Sequence, residues 1–297
     1  MENSAEVPAP LEQPARNNIW WIIGGILLAI ISSISIYYFQ FGPISTNTLP
    51  QGRKSSLVQA IISPTPMPFE EMTIPALRKR EYKSNLGERT TYSQHGNYTS
   101  YLTSYNSDGL KINGLLTIPT GEEPKDGWPA IIFIHGYIPP TVYQTTERYV
   151  DYVNYLASNG FVVFKIDLRG HGHSEGEATG AYFSSDYIID ALTAYSALQN
   201  SNFVNQNKIG LWGHSMAGNV ILRTMTVKTD IPAAVIWAGA VYSYTDREEY
   251  GIQDTSYRPP PQQNITQSQN RRQRLFDTYG DFDQNNEFWS QFSAVNY

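Results

Sequence analysis

The chain has 297 residues, 41% of them hydrophobic and 16% charged, enough for one large domain or two small ones with a buried core. A formal net charge of −6 and the absence of any basic stripe argue against a nucleic-acid partner. There is no cysteine, which excludes disulfides, thiol catalysis and thiolate metal sites.

Residues 1–18 are polar, carry Pro8, Pro10 and Pro14, and read as a disordered tail. Ile19 to Tyr38 is almost wholly apolar, and no charge occurs between Arg16 and Arg53. About 20 apolar residues span the hydrocarbon core of a bilayer. Trp20 and Trp21 at one end and Tyr37 and Tyr38 at the other fit interfacial aromatic belts. A cleaved signal peptide has a shorter apolar region and a small-residue cleavage site, which Tyr37-Tyr-Phe-Gln-Phe41 does not offer. The expectation is therefore one transmembrane helix at 19–38. Arg16 precedes it and Arg53 and Lys54 follow it, so the distribution of basic residues does not fix its orientation. The simpler arrangement is a single-pass anchor with the following domain outside the cytoplasm. A Pro/Ser/Thr-rich stalk at 39–68, ending in Ser63-Pro-Thr-Pro-Met-Pro68, would join the two.

The globular region is expected at 69–297. Tyr98 to Ser104 and Leu110 to Ile118 are strand-like and flank Asn106-Ser-Asp-Gly109, a hairpin signal. Pro129 to His135 is a continuous apolar run, as in a strand buried on both faces. A helical pattern from Thr145 to Ser158 follows, stopped by Gly160, and then a second buried strand from Phe161 to Ile166. Ser184-Ser-Asp186 caps a helix bearing Ile188, Ile189, Leu192, Tyr195 and Leu198. Lys208 to Gly213 reads as a strand, Ser215 to Val227 as a helix and Ala233 to Ala238 as a strand. This alternation predicts an α/β fold with a mostly parallel sheet. From residue 241 to 297 the chain turns polar and aromatic, with helices expected at Gln267 to Tyr279 and Asn286 to Phe292, like a cap.

Three runs carry chemistry. In Ile209-Gly-Leu-Trp-Gly-His-Ser-Met-Ala-Gly218 an apolar strand enters a tight turn and then a helix, the context of a nucleophile elbow with Ser215 at its tip. Gly213, Ala217 and Gly218 supply the small neighbours that a close strand–helix approach requires. The helix N-terminus favours developing negative charge. In Phe133-Ile-His-Gly-Tyr-Ile-Pro139 a loop leaves a central strand. It can aim the Tyr137 backbone N–H at an oxyanion, beside that of Met216. His135 is expected to fix the turn rather than act as a base. Asp167-Leu-Arg-Gly-His-Gly-His-Ser-Glu-Gly176 is a sharp loop after a strand. It lacks a helical pair of metal ligands and is expected to brace the site, so neither metal nor cofactor is expected.

Together these runs resemble the α/β-hydrolase superfamily, over roughly Gly109 to Ala240. The nearest likeness is to the catalytic domain of the prolyl oligopeptidase (S9) family and to dienelactone-hydrolase-like esterases. The resemblance implies a serine acyl-enzyme, a small ester or peptide substrate, and a pocket after the last strand, for which Tyr242 and Tyr244 are candidates. The chain departs from the pattern in two respects. There is no room for a β-propeller between the stalk and Tyr98. The histidines are His95, His135, His171, His173 and His214, all upstream of Ser215, whereas the family order places acid and then histidine after the serine. Asp246 and Asp254 come too early to serve as the acid. The expectation is a partial hydrolase domain, lacking the last two strands, whose acid and base are not in this chain and which is inactive alone. The alternative is a non-catalytic, membrane-tethered binding domain that reuses the same fold.

Overall fold

The structure, a computed structural model, describes residues 67–241, 243, 244, 246, 266–283 and 286–297. All fall within Pro64–Tyr297, the second of the two units into which the chain divides. No helix among the described residues is long and apolar enough to cross a membrane, and the expected span at 19–38 lies outside them.

Seven strands form one mixed sheet: β1 (Thr90–Gln94), β2 (Tyr98–Ser107), β3 (Leu110–Pro119), β4 (Trp128–Ile134), β5 (Val162–Ile166), β6 (Val204–His214) and β7 (Ala234–Trp237). Their spatial order is β1-β2-β3-β5-β4-β6-β7. β1, β2 and β3 form an antiparallel meander, and β3 runs antiparallel to β5. β5, β4, β6 and β7 are mutually parallel. β2 and β3 meet at Asp108 and Gly109, whose φ values of 53° and 80° give the two-residue turn that matches strand twist.

Strand alternation divides the core between two faces. Leu116, Ile132, Ile134, Phe164, Ile166 and Leu211 pack with α3 (Asp186–Gln199) and α4 (Ala217–Val227), and α1 (Ile74–Lys79) adds Leu77. Leu115, Phe133, Val163 and Trp212 face the other way, onto Val153 and Ala157 of α2 (Val150–Ser158). A third, aromatic cluster joins Met72 and Tyr244 to Leu275 of α5 (Thr266–Tyr279) and to Phe288, Trp289 and Phe292 of α6 (Glu287–Phe292).

The sheet is half antiparallel rather than mostly parallel, and among the elements that differ from expectation are β1 and α2. β1 is almost wholly exposed and polar, so it carries no alternating signal. The helix expected from Thr145 begins only at Val150, because Arg148 and Tyr149 have φ values of 57° and 55° and cannot continue a right-handed helix. Lys165, buried on β5, holds that turn by donating from Nζ to the carbonyls of Glu147 (2.7 Å) and Arg148 (3.3 Å).

Candidate active site

β6 ends at His214 and α4 starts at Ala217, leaving Ser215 on the turn between them with φ 54°. A non-glycine residue there is strained and must be held by its surroundings. Three backbone bonds hold it. Ser215 N–H donates to the Trp237 carbonyl at 3.1 Å, and its own carbonyl accepts from Gly218 and Ala240, each at 2.9 Å. The strand-to-helix turn that carries Ser215 is thereby fastened to the end of β7. The close approach that demands small residues is visible at Gly213, where an added Cβ would lie 2.6 Å from the Ala217 Cβ.

The loop after β4 reaches the same turn. Gly136 lies so near His214 that a Cβ on it would stand 3.1 Å from the His214 carbonyl oxygen. Gly136 N–H donates to the Tyr149 hydroxyl at 3.0 Å, and that hydroxyl lies 2.9 Å from His214 Nδ1. Tyr137 therefore sits one residue beyond a loop tied to the elbow, and Met216 directly follows Ser215 at the mouth of α4. Helix geometry leaves the first-turn amides without intrahelical acceptors.

His135 is fully buried, with Nδ1 2.7 Å from the Gly136 carbonyl and Nε2 3.0 Å from that of Asp167. Burial, reinforced by the adjacent His171 ring, pulls it down to about 3, so the ring is neutral and donates to one carbonyl at a time. His171, also buried, has Nδ1 3.1 Å from the Arg169 carbonyl and is pulled down to about 4 by burial.

The Asp167–Gly176 loop is closed from several sides. Tyr143 and Thr145 donate to the Asp167 carboxylate at 2.8 and 2.6 Å. Arg169 grips the buried Asp190 on α3, with its closest contact at 2.7 Å. Glu175 exchanges bonds with Lys111 of β3, 2.9 Å from its own N–H and 2.7 Å to its carboxylate. Burial pulls the Lys165 ammonium down to about 8 against the opposing pull of Asp167.

None of the five imidazoles hydrogen-bonds to Ser215: His95 pairs with Ser93, and His173 is exposed on its loop. Of the two pocket candidates, Tyr242 lies outside the described residues. Tyr244 is buried in the aromatic cluster and donates its hydroxyl to the Tyr182 carbonyl at 2.5 Å. Asp246 caps its own turn, accepting from Ser243 N–H at 2.6 Å, and Asp254 lies outside the described residues. Sequence reasoning missed Tyr149, Tyr143, Lys165 and Asp190. Tyr149 meets partners 13 and 65 residues away, so no local pattern marks it.

A mixed sheet with a strained serine on the turn between the parallel strand β6 and α4 decides the fold. Residues 128–262 match the model of the Hydrolase_4 family, described as serine aminopeptidase, S33. Over that stretch the chain is similar to a family of serine hydrolases with the α/β-hydrolase fold. The chain is 28% identical over 153 residues to the uncharacterized peptidase YtmA of Bacillus subtilis, covering 50% of this chain and 56% of that protein. It is 27% identical over 217 residues to dipeptidyl aminopeptidase A of Saccharomyces cerevisiae, covering 66% of this chain and 23% of that one. Among solved structures, acetyl xylan esterase 1 from Thermoanaerobacterium sp. JW/SL YS485 aligns with a TM-score of 0.49 and 20% identity, over 79% of this chain and 73% of that one. The matches thus span 56% and 23% of the two curated relatives' lengths. The matched family is S33, whereas the motifs most resembled S9; the α/β-hydrolase fold is common to both. The chain is thus similar in sequence to hydrolases that include peptidases.

Proposed function

We propose that this chain is a membrane-anchored serine hydrolase that cleaves ester or peptide bonds through an acyl-enzyme on Ser215. The observation that carries the reading is Ser215 itself, a non-glycine residue at φ 54° between a parallel strand and an eleven-residue helix. Attack by Oγ on a substrate carbonyl forms the acyl C–O bond and expels the leaving group. Water then breaks that bond. The developing oxyanion is met by the N–H groups of Met216 and Tyr137, and the positive end of α4 favours the same charge. Because no imidazole of the chain bonds to Ser215, the base that deprotonates it comes from a group outside the described residues. Residues 19–38 anchor the domain outside the cytoplasm in this reading, and the substrate is a small ester or peptide of the prolyl oligopeptidase or dienelactone hydrolase type.

The same separation of the imidazoles from Ser215 favours one other reading, a tethered binding domain without catalysis. Fluorophosphonate labelling of the protein as its own cells make it separates the two. The hydrolase reading expects label on Ser215, lost in Ser215→Ala, and expects a membrane-impermeant probe to label intact cells. Absence of label on the natural protein would sink it.

A further inference from the structure

Tyr149 stands between the two loops that the proposed chemistry uses. Its hydroxyl accepts the Gly136 N–H at 3.0 Å. With one lone pair taken by that N–H, the phenol proton can go to the other neighbour, His214 Nδ1 at 2.9 Å, and the clamp we infer uses this arrangement, with His214 as the Nε2–H tautomer. The ring is anchored on both strands below. It packs 5.4 Å from Phe133 of β4 and 6.4 Å from Trp212 of β6, and those two rings stack on each other at 4.2 Å. The backbone is held as firmly. Arg148 and Tyr149 are both left-handed, and the Lys165 ammonium binds the carbonyls of Glu147 and Arg148 just before the ring. A strained turn secured by a buried lysine is more than a surface tyrosine needs, and it delivers one hydroxyl to one point.

That point has a consequence for the oxyanion site. Gly136 N–H is committed to Tyr149, and the oxyanion donor that the proposed chemistry takes from this loop is the next amide, that of Tyr137. The other donor, Met216 N–H, follows His214 by two residues. We propose that Tyr149 is a positioning residue whose hydroxyl clamps the loop after β4 to the nucleophile turn, and so sets the separation between the Tyr137 and Met216 amides. The proposal rests on Ser215 being the nucleophile. It extends that reading by naming a residue, distant in sequence from both motifs, that sets the geometry of the oxyanion hole.

Tyr149→Phe removes the hydroxyl and keeps the ring against Phe133 and Trp212, so the fold is expected to survive. In the natural protein, with p-nitrophenyl acetate as probe, kcat should fall about 10- to 100-fold while KM stays within about twofold, because a misplaced oxyanion donor is felt only in the transition state. A loss of folding would instead lower the active fraction, which titration with a fluorophosphonate measures separately. His214→Ala cuts the same clamp from the other side. The double variant should be no slower than the slower single variant, since both remove one interaction. Independently of turnover, 15N NMR should find His214 as the Nε2–H tautomer in the unaltered protein and a tautomer mixture in Tyr149→Phe. Unchanged kcat in Tyr149→Phe, or strictly additive losses, overturns the positioning role while leaving Ser215 in place. If the unaltered protein neither turns over the ester nor takes label on Ser215, the hydrolase reading fails first and the positioning role falls with it.

Discussion

At the residue scale, the elbow works because a few side chains are too small to interfere. Gly213 is the sharpest case. A methyl group there would lie 2.6 Å from the Ala217 Cβ and 2.8 Å from the Ile221 Cδ1, and the Ala217 Cβ, fixed to the helix backbone, cannot retreat without moving α4. Gly213→Ala is therefore expected to destabilise the domain by about 1–3 kcal/mol, the usual cost of overpacking. The urea midpoint should fall with an unchanged slope, and labelling of Ser215 should slow at the same time because the turn is displaced. A midpoint equal to that of the unaltered protein would show that strand and helix have room which the structure denies them. Gly218 makes a similar approach to Gly239: a methyl group added at Gly218 would lie 2.9 Å from the Gly239 Cα, which ties the start of α4 to the segment after β7.

At the scale of elements, α4 does more than carry the serine. Arg223, on its second half, is fully buried. It donates to the Ser184 carbonyl at 2.8 Å, the Met72 carbonyl at 2.9 Å and the Ser185 hydroxyl at 2.8 Å, and lies 4.1 Å over the Phe292 ring. One guanidinium thus joins α4, the N-terminal segment before α1, the cap of α3 and α6. No carboxylate neutralises it among the described residues; burial pulls it down from its ordinary value, and backbone dipoles hold the charge instead. Arg223→Met keeps the volume but leaves the buried Ser184 carbonyl without a donor and takes one of two donors from the Met72 carbonyl, which still accepts from the Ser185 hydroxyl at 2.8 Å, a loss of about 1–3 kcal/mol. The effect should be local first. Limited proteolysis is expected to cut within residues 266–297 of the variant before it cuts the sheet, and simultaneous cutting everywhere would contradict this role for Arg223.

At the scale of the whole molecule, two buried imidazoles link stability to pH. His135 at about 3 and His171 at about 4 are both held below the ordinary value of 6.5, chiefly by burial. The unfolded chain therefore takes up protons below pH 6.5 that the folded chain refuses. Their contribution is complete above that pH and declines as pH falls through 6.5 toward 4 and 3. Asp167 and Asp190, whose carboxyls burial pushes up, act in the opposite sense, so the histidine share must be read by difference. Denaturant midpoints measured at about pH 7 and about pH 5 should converge in His171→Asn relative to the unaltered protein. An equal drop in both proteins would remove His171 from the account.

Much of the architecture could be read from the chain alone. Continuous apolar runs marked β4 and β5, because strands covered on both faces leave no polar side to alternate with. Ser215 between Gly213 and Ala217 marked the elbow, because a strained strand-to-helix turn tolerates few residue types. The hairpin at Asp108-Gly109 was legible for the same local reason. What the chain could not display is whatever depends on distance in sequence. β1 is exposed and has no pattern. The start of α2 is set by Lys165 bonding to carbonyls 17 and 18 residues before it. Tyr149 acquires its place only when β4 and β6 lie side by side. Local sequence determined which residues could form a nucleophile turn. Tertiary contact alone decided which side chains hold that turn in register with the loop beside it, because hydrogen bonds between distant segments leave no periodic trace in the chain.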